Sequence, residues 1–75
     1  MKEFLEYIVK QLVDNPEEVH VKEVKGEHLT VYELRVVKTD MGKVIGKRGQ
    51  TAQAIRMLLT AASKGTQRSI LEIVE

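Results

Sequence analysis

The residues with the clearest chemical purpose are Gly46-Lys47-Arg48-Gly49. Two cations stand between two glycines, and the apolar pair Val44-Ile45 leads into them. Glycine lets a backbone turn tightly and lets another chain approach with no Cβ in the way. A turn of this kind suits the gripping of an anion rather than the making or breaking of bonds. The helical pattern that begins at Gln50 adds the positive end of a helix and its N–H groups, a natural phosphate site. Lys47 and Arg48 are the expected phosphate neutralisers. Backbone N–H groups near Gly49 and Gln50 are expected to donate to the same phosphates.

Competing chemistries fit poorly. Gly42 to Lys47 is one residue short of a nucleotide-binding P-loop, and Arg48 stands where that loop needs Ser or Thr. A dinucleotide fingerprint lacks its G-x-G. His20 and His28 have no partners at zinc-ligand spacing, and Glu17 and Glu18 are not marked as a catalytic pair. No cysteine is present, and no histidine lies near the glycine turn, so there is no nucleophile–base set. The reading is a non-enzymatic binding domain with no metal, cofactor or small-molecule substrate.

Charge is divided along the chain. Net charge is only +1, but residues 1–40 carry six cations against nine acids, net −3, and residues 41–75 carry six against two, net +4. No acidic residue occurs between Met41 and Ile70. A one-signed segment centred on a glycine turn is the electrostatic footprint of a phosphate-binding surface. At 75 residues the chain is expected to form one small domain. Glu3, Glu6 and Lys10 interrupt the N-terminal apolar residues, which are not read as a signal peptide.

The elements that must position the turn can be read from periodicity. Leu5, Ile8, Val9 and Leu12 predict an amphipathic helix over residues 2–13, with Phe4 and Val13 at the edges of its stripe. Asp14-Asn15-Pro16 ends it. Val19 to Lys25 reads as a strand and Lys25 to His28 as a turn. Leu29 to Val37 reads as a second strand with Tyr32, Leu34 and Val36 inward. Thr39 or Asp40 is expected to cap a short helix from Met41 to Ile45. A longer helix follows from Gln50 to Ser63, with Ala52, Ile55, Leu58, Leu59 and Ala62 inward, and Lys64-Gly65-Thr66 stops it. Ile70 to Val74 closes the chain as a strand. The order α-β-β-α-α-β predicts an α+β fold, a three-stranded mixed sheet with three helices on one face.

Val44-Ile45-Gly46-Lys47-Arg48-Gly49 between two helices resembles the GXXG signature of the KH domain, and the element order resembles its type II arrangement. The segment from Gly42 to Ser63 is most similar to the small bacterial KhpA family. The resemblance implies binding of single-stranded RNA, clamped at the GXXG turn while bases lie in an adjoining groove. It also implies a homodimer, or a heterodimer with a larger KH-containing partner, KhpB. A cytoplasmic role as an RNA chaperone, linked in some bacteria to cell shape and division, belongs to the same implication.

On this reading Val44 and Ile45 offer an apolar floor, shared with Ala52 and the third strand; Ile45 alternatively belongs to the core. Lys43 and Arg56 either widen the basic rim or are ordinary solvated charge. Gln50 and Thr51 either cap the second helix or touch a ribose. Gly42 permits close packing or close approach of nucleic acid. Two to four neutralised phosphates imply a slope of log K against log salt of about −1.4 to −2.8. Phe4, Tyr7 and Tyr32 sit on core-type positions, so base stacking on aromatics is not expected. The outer face of the long helix, with Met57 and Ala61, is apolar enough to pair with another subunit.

Overall fold

The computed structural model describes residues 1–63 and 68–75. Its elements are α1 (Lys2–Leu12), β1 (His20–Lys25), β2 (Leu29–Arg35), α2 (Met41–Ile45), α3 (Gln50–Ala62) and β3 (Arg68–Val74). Single 3₁₀ turns at Pro16–Glu18, Lys38–Asp40 and Lys47–Gly49 join them. The α-β-β-α-α-β order is the predicted one and is consistent with the type II KH fold. The stop predicted at residues 64–66 lies outside the described residues.

The sheet has the order β1-β2-β3. β1 and β2 form an antiparallel hairpin in which Val21 faces Leu34 and Glu23 faces Tyr32. β3 runs parallel to β2, with Val31 opposite Ile70 and Leu34 opposite Ile73. Parallel pairing requires a crossover, and α2 and α3 supply it. Alternation along β2 sends Thr30, Tyr32 and Leu34 inward, where all three are buried. The core joins them to Leu5 and Val9 of α1, Val44 of α2 and Ile55 and Leu59 of α3. Burial raises the pKa of the Tyr32 hydroxyl, and its hydrogen bond to Glu23 raises it further. The other face of the sheet is open, with Val24, Val31 and Ile70 in one row across the three strands.

Several sequence expectations are corrected. Leu58 is not in the core stripe: it is 48% exposed, and Ala62 is exposed as well. Ile55 and Leu59, four residues apart, already fill the space above the sheet, so a residue 100° around the helix is turned away. Phe4 and Tyr7 are exposed too, the latter at 66%, because Leu5 and Val9 hold the contact line of α1. The chain leaves β2 at Arg35 rather than Val37, although Val36 stays buried and its N–H still reaches the Val74 carbonyl.

Candidate nucleic-acid interface

The turn between α2 and α3 is built by backbone that only certain residues tolerate. Gly46 ends α2 at φ 75°, ψ 175°, and its N–H donates to the Gly42 carbonyl. A Cβ on Gly46 would lie 2.1 Å from Thr51 Oγ1, so glycine is required there on two counts: conformation and space. Gly49 is left-handed at φ 74° and opens α3, but a Cβ there would meet nothing within 4 Å. Between them Arg48 is also left-handed, at φ 58°, ψ 25°. That is an uncommon place for a residue with a long side chain. The result is a hinge whose apex residues, Lys47 and Arg48, are both exposed. Neither is held in an ion pair among the described residues.

The hinge opens onto a groove between α3 and β3, and β3 is an edge of the sheet. Its first part is lined by Gly49, Ala52, Gln53, Arg56 and Leu71. A second part shares Arg56 and Leu71 and continues past Met57 and Thr60 to Arg68. The floor is therefore Ala52 and Leu71, with Arg56 along the wall and Arg68 at the far end. Residues 49, 52, 53 and 56 recur at helical spacing, so Gln53 was recoverable from periodicity once Gly49 was placed. Arg68 and Leu71 were not: only the parallel pairing of β3 brings them beside α3.

The predicted site residues do not all converge. Gly46, Lys47, Arg48 and Gly49 form the hinge, and Arg56 lines the groove. Ile45 is 38% exposed just before the hinge, whereas Val44 is wholly buried in the core and forms no part of a floor. The two neighbours divide in this way because a helix turns about 100° per residue. Thr51 packs its side chain against Gly46 and makes no capping hydrogen bond; Gln50 is exposed. The N–H groups of Gly49 and Gln50 already donate to the Gly46 and Lys47 carbonyls. They are corrected from phosphate donors to bonds that hold the turn. Gly42 faces open space, which removes the close-packing explanation for it.

Asp40 precedes α2 as expected, but its side chain does not cap it. It is 1% exposed and accepts from Asp14 N–H at 3.2 Å, Asn15 N–H at 3.0 Å and Asn15 Nδ2 at 3.1 Å. Burial alone would raise its pKa. The Asn15 amide, the two backbone N–H groups and nearby Lys43 outweigh that and lower it. Lys43 Nζ lies 3.4 Å from Asp14 Oδ2. The fold thus brings acids from the N-terminal half against a segment that is basic in sequence.

The family described as KhpA/KhpB, KH domain matches residues 2–73. The chain belongs to this KH-domain family. It is 58% identical to RNA-binding protein KhpA of Chlamydia caviae, over 100% of this chain and 97% of that one. Its identity to RNA-binding protein KhpA of Clostridium perfringens is 52%, over 99% of this chain and 100% of the other. The protein of the same name from Borreliella burgdorferi is 49% identical, over 97% of this chain and 90% of its own. These are names of a binding protein and not of an enzyme. No solved structure matches the chain. The matched residues include the Gly46-Lys47-Arg48-Gly49 hinge. Among the described residues, no helix is long and apolar enough to cross a membrane.

Proposed function

We propose that this chain binds single-stranded RNA, with the sugar-phosphate chain clamped at Gly46-Lys47-Arg48-Gly49 and the bases laid along the α3–β3 groove. The observation that carries the reading is the pair of exposed cations, Lys47 and Arg48, at the apex of a two-glycine hinge that opens onto that groove. Glycine at both ends lets a phosphate chain come close, and a lysine and an arginine neutralise it. Arg56 flanks the path, and Ile45 offers apolar surface beside it. The names of the relatives agree with an RNA ligand. Phe4 and Tyr7 lie on α1, outside the groove lining, so the groove itself presents no aromatic stacking platform. Base selectivity is accordingly low.

Such a weak, broad binder suits an RNA chaperone or post-transcriptional regulator working in the cytoplasm. A second observation supports partnership. Ala54, Met57, Leu58 and Ala61 are all exposed and follow i, i+3, i+4, i+7 spacing on α3. That stripe fits a helix of a second copy or of a larger KhpB-like chain, and linking two RNA sites raises affinity without new contacts.

The test is titration of a labelled, unstructured RNA with wild type and with Lys47→Asp/Arg48→Asp. The double variant is expected to lose binding while its thermal melt stays close to wild type, since both side chains are exposed. Undiminished affinity would exclude the clamp and leave a KH-fold module that binds a protein partner and has little nucleic-acid binding of its own. A DNA of the same sequence, run in parallel, reports discrimination through the 2′-hydroxyl.

A further inference from the structure

Lys43 differs from Lys47 and Arg48 in that an acidic side chain already holds it. Its Nζ is 3.4 Å from Asp14 Oδ2. Asp14 belongs to the corner after α1, far from Lys43 in sequence, and a buried group fixes it there. The Asp40 carboxylate, at the start of α2, accepts the Asp14 and Asn15 backbone N–H groups and the Asn15 amide. The same side chain therefore anchors α2 and plants an acidic residue beside it. The pair itself is open to water, with side chains 45% exposed for Lys43 and 76% for Asp14. Exposed pairs of this kind hold weakly, so an incoming phosphate and the Asp14 carboxylate are comparable partners for one ammonium group.

We propose that Asp14 competes with the RNA phosphate chain for Lys43, and so sets how many phosphates the α2–α3 hinge engages. This rests on the reading of the hinge as an RNA clamp. Lys43 lies one turn before Gly46 on α2 and its ammonium group is held by Asp14, so release from that carboxylate is what makes it available to a chain clamped at Lys47 and Arg48. Asp14 also places a negative charge near that path. Both effects weaken binding and lower its dependence on salt.

The experiment is a salt series of titrations with a labelled ten-nucleotide oligouridylate. Asp14→Asn is expected to tighten binding several-fold at low salt and to steepen the slope of log K against log salt by about 0.7, one further phosphate on a single strand. Adding Lys43→Gln to Asp14→Asn should remove both gains. Lys43→Gln should lower the slope less in the wild-type background than in the Asp14→Asn background. An Asp14→Asn slope equal to wild type, or equal effects of Lys43→Gln in the two backgrounds, would overturn the competition. Lys47→Gln/Arg48→Gln separates the two levels. If it lowers the slope while Asp14→Asn does not move it, only the competition is wrong; if it too leaves the slope unchanged, the clamp is wrong and the competition falls with it. Asp14 meets Asp40 through its backbone N–H, which the substitution keeps, and Asp14→Ser provides an independent check with the same expected signs.

Discussion

Three residues of one hinge, Gly46, Arg48 and Gly49, have positive φ, and their substitutions have different consequences. Gly46 combines positive φ with a neighbour, Thr51 Oγ1, where a Cβ would have to sit. Gly49 has the positive φ but open space. Left-handed backbone costs an L-residue about 1–2 kcal/mol, and a steric insertion adds about 1–3 kcal/mol. Gly46→Ala is therefore expected to lower stability by about 2–5 kcal/mol. Gly49→Ala should cost only about 1–2 kcal/mol. Thermal melts compare the two directly, and equal losses would reject the role assigned to Thr51. Arg48 already bears the conformational cost. Arg48→Gly should leave stability unchanged or raise it by up to about 1 kcal/mol, while RNA affinity falls. A melt and a titration on the same sample separate these opposite effects.

At the level of elements, α2 is the component that most needs external support. It has only five residues, too few to be stable by local hydrogen bonding. Val44 ties it to the core and Asp40 ties it to the α1–β1 corner. Since Gly46 follows directly, whatever holds α2 also aims the hinge. Asp40 has a lowered pKa in the folded chain. Its contribution is then fully present above the ordinary carboxylate range and is lost as pH falls through the folded value. Asp40→Asn should lower the melting temperature at neutral pH, because an amide cannot accept all three hydrogen bonds. The difference from wild type should shrink as the pH is taken below about 4. A difference that stays constant from pH 7 to pH 3 would show that the carboxylate charge is not what anchors the helix.

For the whole molecule, α3 has two apolar faces. Ile55 and Leu59 face the sheet, and the Ala54, Met57, Leu58, Ala61 stripe faces solvent. Met57 also borders the far part of the groove, beside Arg56 and Thr60. A helical partner on this stripe would set two grooves next to one another. Met57→Glu is expected to shift sedimentation toward the monomer, with little change in the melt because the side chain is 64% exposed. Persistence of the dimer in that variant would reject this surface. If one RNA spans both copies, binding to a long strand should weaken more in the variant than binding to a short one.

Much of this was legible in the chain. The element order, the inward face of β2 and the glycine hinge follow from local rules: side-chain alternation, helical spacing, and the conformations open to glycine. The exposed cations at residues 47 and 48 were also legible, since a tight turn leaves a long charged side chain nowhere else to go. Helix spacing could not say how wide the buried stripe would be. Leu58, Phe4 and Tyr7 are apolar and correctly spaced, yet a three-stranded sheet covers only a narrow line on each helix, and they fall beyond it. Nor could it separate Val44 from Ile45, because which of two neighbours meets the core depends on how α2 is rotated against the sheet. What local rules determined was the hinge and its charge. Only the tertiary structure decided which charges are free to act: it laid Arg68 and Leu71 beside α3 through parallel pairing, and it brought Asp14 to Lys43 through a buried carboxylate. Coulomb attraction and hydrogen bonding act through space, across separations in the chain that no local pattern records.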